Sequence, residues 1–313
     1  MSSNNRENTP ANKQGYIRYN LHMMRVNATS YGMLAPFMIL FTIFTIIPVV
    51  MSLPIGFTNF NMAQFPKFVG LSNFYTLFLN DDVFMTAVKN TLIMAVFTGP
   101  LSYALSFILA WLINEMRPWM KTFFTFVFYA PSMTTSVYVI WQLLLSGDQY
   151  GYFNSILLDL GIIYSPVQWL TDTKYMLIVV IIVQLWISMG AGFLALRAGF
   201  QTIDRTMYEA GAIEGIKNRW QELFLITVPS MGPQLLFAAV LQISGMFTVG
   251  VVGQSLLGIP STDYAAHTIM NHATFFGWIK YEMGYASAIC FVLFAAMLIV
   301  NHVITSFLNK FTD

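Results

Sequence analysis

Six stretches of this chain are each long and apolar enough to cross a bilayer, and nothing else in the sequence restricts its fold as much. A spanning helix needs about 20 predominantly apolar residues. The windows Met33–Ile55, Asn90–Ile113, Thr122–Leu145, Tyr175–Leu196, Pro233–Leu256 and Met283–Leu308 qualify, and none contains Asp, Glu, Lys or Arg. In hydrocarbon each backbone N–H and C=O must find a partner within the protein, so such runs fold as helices. Prolines at 36, 48, 100 and 131 fall in or near them, which membranes tolerate where neighbouring groups re-satisfy the backbone. The expected fold class is all-α integral membrane with six transmembrane helices.

Composition agrees. Only 9% of the 313 residues are charged, against about 25% in a soluble globular chain. The net charge of +1 with no basic stripe gives no reason to expect a nucleic-acid partner; membrane lipid is the expected surroundings. Cys290 is the single cysteine, so no intrachain disulfide can form, and its apolar neighbourhood points to packing. No short apolar core with a small-residue cleavage site precedes the first window, which predicts that this window acts as its own insertion signal.

Charge orients the spans. With a cytoplasmic N-terminus, inner segments hold eleven Lys/Arg (Arg6, Lys13, Arg18, Arg25, Arg117, Lys121, Arg197, Arg205, Lys217, Arg219, Lys310), while outer segments hold four (Lys67, Lys89, Lys174, Lys280). That asymmetry predicts both termini cytoplasmic. The expected organisation is a cytoplasmic segment 1–30, a six-span body 31–309 and a cytoplasmic tail 310–313.

The long inner connection 197–232 carries the most local information. Asp204 can cap a helix starting at Arg205. Tyr208, Ala212 and Ile216 repeat every fourth residue, and Ile213 widens that stripe. Gly215 suits a left-handed turn. Asn218 followed by Gln221 reads as a capping box opening a second helix. The stripe would lie on the protein's own helices or lipid headgroups, or dock into a cytoplasmic partner.

In this segment, Tyr208-Glu209-Ala210-Gly211-Ala212-Ile213-Glu214-Gly215, then Trp220-Gln221 and Ile226-Thr227-Val228-Pro229, resembles the EAA loop of ABC importer permeases. Its Trp-Gln and Thr-Val-Pro features are similar to the carbohydrate-uptake branch that includes maltose-type permeases. Lys67-Phe68-Val69-Gly70-Leu71-Ser72-Asn73-Phe74, Asn90-Thr91-Leu92 and Trp169-Leu170-Thr171-Asp172 resemble other stretches of that family. Departures are Gly211 for an alanine, Glu214 for an aspartate, Ile216 for an alanine, and one extra residue between Gly215 and Trp220.

The resemblance implies a type I ABC importer permease fold and a coupling loop, 204–222, inserted into a cytoplasmic ATPase. Glu209, Ala210, Gly211, Glu214 and Gly215 would be the coupling residues, with Glu209 supplying charge-assisted contacts and Gly215 the turn. It further implies a second homologous permease subunit, two ATPase subunits carrying ATP and Mg, an extracytoplasmic sugar-binding protein, and a prokaryotic cytoplasmic membrane. The substrate would be a di- or oligosaccharide, or a related polyol or phosphorylated glycerol.

The chain itself reads as no enzyme. The dipeptide Gly-Lys never occurs, so there is no phosphate-binding loop of the Walker A kind. The apolar windows lack the ionisable groups that ion-coupled carriers place at midplane. An ion-coupled secondary carrier and a non-transporting membrane scaffold remain the alternatives. No catalytic constellation is visible. His267 and His272 are five apart, poor spacing for a shared helical face, and no metal site or resident cofactor is expected.

A sugar within a membrane is best met by neutral amides and hydroxyls. Gln142, Gln184, Ser188, Gln234, Gln242, Ser244 and Gln254 are the candidates. Gln184 and Ser188 share one helical face, as do Gln242 and Met246. Carrying over the family's substrate positions gives Gln184, Ile187, Ser188, Gln242 and Met246. Buried Ser and Gln also serve as interhelical hydrogen bonds. Tyr138, Trp141 and Trp186 could stack on sugar rings, or simply pack.

Overall fold

The computed structural model describes residues 26–134, 136–246 and 249–309. The expected terminal segments up to Arg25, including His22, and the tail 310–313 with Lys310 lie outside the described residues. Four helices are long and apolar enough to cross a membrane, or six if each of two bent pairs counts as one span.

The chain forms two units, 1–54 and 55–313. Helix α1 (Ala28–Ile55), of which all but the last residue belongs to the first, runs through a π turn at Thr42–Ile46 and has no buried residue in its spanning window. Pro36 and Pro54 lie inside it.

The second unit is organised around α3 (Asp82–Asn114). At 1.5 Å per residue it is about 50 Å long, more than the ~30 Å of bilayer hydrocarbon. Asp81 caps its start by accepting from the Phe84 N–H at 2.9 Å. One face buries Ala87, Thr91, Met94, Thr98, Ser102, Ser106 and Ala110, while Leu92, Val96, Phe97, Leu101, Ile108 and Leu112 stay exposed. Small residues inward and large apolar ones outward is the arrangement lipid-embedded helices need, since close backbone approach drives their packing.

Around α3 lie α2 (Ser72–Leu79), α4 (Pro118–Tyr129), α7 (Thr173–Ile187), α8 (Ala191–Thr202) and α11 (Gly232–Met246). The unit also contains α5 (Val137–Leu144), α6 (Tyr152–Asp159), α9 (Arg205–Ile213), α10 (Arg219–Ser230), α12 (Gly250–Leu257), α13 (Ile269–Thr274) and α14 (Met283–Asn309). Each of three buried clusters takes residues from α3. Phe84 and Ala87 pack with Ile269 and Ile289, Met94 with Met176 and Val180, and Ala110 and Ile113 with Phe193 and Met231.

The apolar windows and the helices differ in three places. The third window is two helices, α4 with a 3-10 extension to Met133 and then α5, at 90° to each other. Pro131 sits in that extension and cannot donate to a helical ladder. The fourth breaks between α7 and α8, where Gly190 has φ −104 and ψ −120. The fifth is described in two helices, α11 to Met246 and α12 from Gly250. Helices also extend past the charge-free windows: α3 includes Lys89, α7 includes Lys174 and α8 includes Arg197, which is 6% exposed. A window sees hydropathy alone, whereas a helix continues as long as its backbone bonds are made.

Candidate functional site

The break between α7 and α8 opens on a cavity of about 130 Å³ lined by Thr98, Ser102, Gln184, Ser188, Gly192 and Gln242 among others. Gln242 is 7% exposed. Its Nε2 donates to Ser106 Oγ at 3.2 Å and to the Ser188 carbonyl at 3.4 Å, while its Oε1 accepts from Ser102 Oγ at 3.1 Å. The amide thus joins α3, α11 and the α7–α8 break. Ser102 and Ser106 lie one turn apart on α3, the spacing that lets one amide reach both.

Gly192 leaves room for this amide, since a Cβ there would meet Gln242 Nε2 at 2.8 Å. Ser188 turns its hydroxyl back to the Leu185 carbonyl at 2.8 Å. Gln184 lines the cavity at 8% exposure. Such non-helical backbone at membrane depth is tolerated where protein covers it or a cavity receives it.

Three of the four sequence-predicted pathway residues therefore border one space: Gln184, Ser188 and Gln242. Met246 ends α11, and its side chain lies outside the described residues, as does that of Ser244. Ile187 packs on the apolar cluster around Val183. Gln142 binds the Ser255 carbonyl at 2.9 Å and Gln254 is exposed, so neither lines the cavity. Gln234 keeps a buried Oε1 without a partner. Trp141 and Trp186 meet edge-to-face at 5.5 Å, contacting each other.

At the Glu115 end of α3, residues 204–222 form a helical hairpin. Asp204 caps α9 by accepting from the Thr206 N–H at 3.0 Å, and that bond holds its carboxyl below the usual range. Gly215 takes φ +98 in the turn. Asn218 accepts from the Gln221 N–H at 2.8 Å, and Gln221 reaches back to the Lys217 N–H at 3.0 Å, one residue before the cap.

The hairpin is bound to the spans. Arg219 pairs with Glu115 at 2.9 Å, and the Trp220 ring lies 5.2 Å from Trp111 on α3. Tyr208 shares a 2.9 Å hydrogen bond with Thr227, whose hydroxyl donates to the Glu222 carbonyl at 3.2 Å. Gly211 is buried because Ile226 and Ile216 occupy the space its side chain would fill. The apolar stripe divides accordingly. Tyr208 and Ile216 turn partly inward, whereas Ala212 is exposed and Ile213 is 88% exposed. Glu209, Ala210, Glu214 and Gly215 are exposed as well.

At the Asp81 end, sequence reasoning missed a polar knot. Asn90 Nδ2 lies 3.0–3.2 Å from the carbonyls of Tyr264, Ala265 and His267, and Thr91 accepts from the Ile269 N–H at 3.0 Å. His267 and His272, expected to be too far apart in register, are in ring contact 5.4 Å apart because the chain turns between them. Asp81, the partner of His272, lies 191 residues from it, and local spacing carries no trace of that pairing. Among the described residues no group of His, Cys, Asp and Glu has metal-holding geometry.

Apolar-surfaced helices long enough to span a bilayer, a polar cavity at the α7–α8 break and a hairpin fixed to one end of α3 define a multi-pass membrane transport component. Residues 102–312 match the model of the binding-protein-dependent transport system inner membrane component family, and the chain belongs to it. It is the permease subunit of an ABC importer. It is 28% identical to the arabinooligosaccharides transport system permease protein AraP of Bacillus subtilis, over 88% of this chain and 86% of that one. It is 31% identical to the lactose transport system permease protein LacF of Rhizobium radiobacter, over 66% and 68%. A crystal structure of a bacterial ABC transporter involved in import of the acidic polysaccharide alginate superposes with TM-score 0.71 at 25% identity, covering 94% of this chain and 98% of that one.

Proposed function

We propose that this chain forms half of the translocation pathway of an ATP-driven importer for a di- or oligosaccharide, in a prokaryotic cytoplasmic membrane with both termini cytoplasmic. The partners are a second homologous permease, two ATPase subunits that bind ATP and Mg, and an extracytoplasmic sugar-binding protein. The observation that carries this reading is the hairpin. It grips α3 through Arg219–Glu115 and Trp220–Trp111 yet presents a bare apolar tip at Ile213. A load applied to that tip reaches α3, and α3 holds the cavity side chains Thr98 and Ser102.

The chemistry of the cavity fits a neutral, hydroxyl-rich cargo. Gln184, Gln242 and the serines offer donors and acceptors without the desolvation cost of a charge. At about 130 Å³ the cavity is smaller than the ~300–1,000 Å³ of typical ligand pockets. That supports a pathway completed by a second subunit. Relatives named for arabinooligosaccharide and lactose transport supply the substrate class.

The test is to purify the complex assembled around this chain and measure its ATPase activity with each of a panel of saccharides and the loaded binding protein. Stimulation by di- or oligosaccharides supports the reading. A complex without an ATPase, or one stimulated only by non-sugar solutes, overturns it.

A further inference from the structure

The Asp81 end holds a chain of four ionisable side chains contributed by three separated parts of the sequence. Tyr285 OH, from α14, donates to Asp81 Oδ2 at 2.7 Å. His272 Nε2 lies 2.9 Å from the same oxygen, and its Nδ1 lies 3.3 Å from His267 Nε2. His267 Nδ1 is buried and has no partner. The two imidazoles are 1% and 2% exposed.

With both rings neutral, as burial favours, these contacts set one tautomer for each. Asp81 can only accept, so His272 donates from Nε2 and leaves Nδ1 as an acceptor. His267 then donates to it from Nε2, and its own Nδ1 is a bare lone pair. Both rings are neutral. A further proton has one vacant nitrogen, His267 Nδ1, where it makes an imidazolium whose new N–H faces no acceptor. The alternative is to protonate Asp81, which removes the charge that both donors address. The first route leaves a buried charged N–H without an acceptor and the second weakens the bonds to Asp81, so each costs the closed arrangement free energy.

We propose that the His267–His272–Asp81–Tyr285 chain is a proton-sensitive latch, holding the 261–279 segment against the head of α3 only while both imidazoles are neutral. Asp81 favours an added proton on either ring, but burial outweighs it. Lys280, which sits over the Phe276 ring at 4.3 Å, opposes protonation of His272. Tyr264 from the preceding loop sets its ring edge-on to His267 at 5.2 Å. Glu282 is exposed and acts on Tyr285, and α2 contributes neutral Asn73 and Thr76 beside Asp81.

Burial, with His272 beside it, holds the His267 imidazole down at about 4 against the opposing pull of Asp81. Burial also holds His272 below its usual value. For Asp81 burial pushes upward, but the bonds from Tyr285, the Phe84 N–H and His272 together leave the carboxyl below its ordinary range. A depressed imidazole is costless above its open-state value of 6.5 and opposes closure increasingly as pH falls from there toward about 4. The latch is thus tight near neutrality and loosens in acid.

The test is hydrogen exchange of the purified, assembled importer as a function of pH. Protection factors for 261–279 should stay level between about pH 8 and 6.5, then fall on the order of tenfold by about pH 5 relative to 191–202. His267→Asn and His272→Asn should each flatten that fall. Parallel pH behaviour of the two segments in the wild-type protein overturns the latch, as does a variant that keeps the fall. If a variant does not fold, the wild-type profile alone decides.

The latch's position outside the cell rests on the topology proposed above. In proteoliposomes, acidifying only the binding-protein side should reversibly lower uptake. If acid acts only from the ATPase side while the exchange profile holds, the topology fails and the latch stands. If acid acts from neither side while the profile is flat, the latch fails and the importer reading is untouched.

Discussion

Two of the predicted pathway amides have different surroundings and should answer differently to mutation. Gln242 makes three hydrogen bonds across helices, whereas Gln184 borders the cavity. Truncating Gln242 strands buried partners, which costs about 1–3 kcal/mol. Gln242→Ala should therefore lower the melting temperature of the purified complex as well as uptake. Gln184→Ala should leave melting nearly unchanged and alter the saccharide dependence of uptake. Equal thermal losses in the two variants would assign both to structure. Gly284 gives a sharper steric case. A Cβ there would meet the Thr58 carbonyl oxygen, and the Gly284 N–H donates to the Phe60 carbonyl at 2.8 Å. Backbone cannot swing aside as a side chain can, so Gly284→Val should destabilise by about 1–3 kcal/mol, read as a lower melting temperature.

At the scale of elements, the hairpin was the most legible part of the molecule because its signals are local. Asp204, Gly215 and Asn218 each act on backbone within four residues, and each lies where its cap or turn requires it. Only the reach of Gln221 shifted, to the Lys217 N–H. The spans were legible as apolar runs but not as unbroken helices, since the breaks at Pro131 and Gly190 depend on what they pack against. Gly190 lies against Ser132 across the sequence, a relation hydropathy cannot report. The knot at Asn90, Asp81, His267 and His272 was illegible for the same reason. The bonds of Asn90 to the Tyr264 carbonyl and of His272 to Asp81 join residues 174 and 191 apart.

The same hairpin yields a prediction. Proline fixes φ near −65°, but residue 215 sits at +98. Gly215→Pro should leave membrane insertion and subunit assembly intact while abolishing saccharide-dependent ATPase stimulation. Ile213→Asp should do likewise by charging the exposed apolar tip. Arg219→Ala removes an ion pair of exposed groups, so its effect on melting should be below about 1 kcal/mol. Undiminished uptake in Gly215→Pro would show that the turn transmits nothing.

At the scale of the whole molecule, the exposed apolar surface and the charge asymmetry make separate demands. Helix α1 buries no residue in its spanning window, whose mean hydropathy is 2.4. The proposed orientation rests, by the positive-inside rule, on short loops where Arg117, Lys121, Arg205, Lys217 and Arg219 outweigh Lys67, Lys174 and Lys280. This orientation puts the Ile213 tip and the 146–174 loop on opposite sides of the bilayer, and chemistry can read it directly. Cys290 is the only native cysteine, so Cys290→Ser gives a thiol-free background. Tyr164 is 97% exposed and Ile213 is 88% exposed, so a cysteine at either disturbs little packing. In intact cells a membrane-impermeant thiol reagent should label Tyr164→Cys and spare Ile213→Cys, with the pattern reversed in inside-out vesicles. Labelling of Ile213→Cys from outside would invert the topology. The hairpin would then lie beyond the reach of any cytoplasmic ATPase.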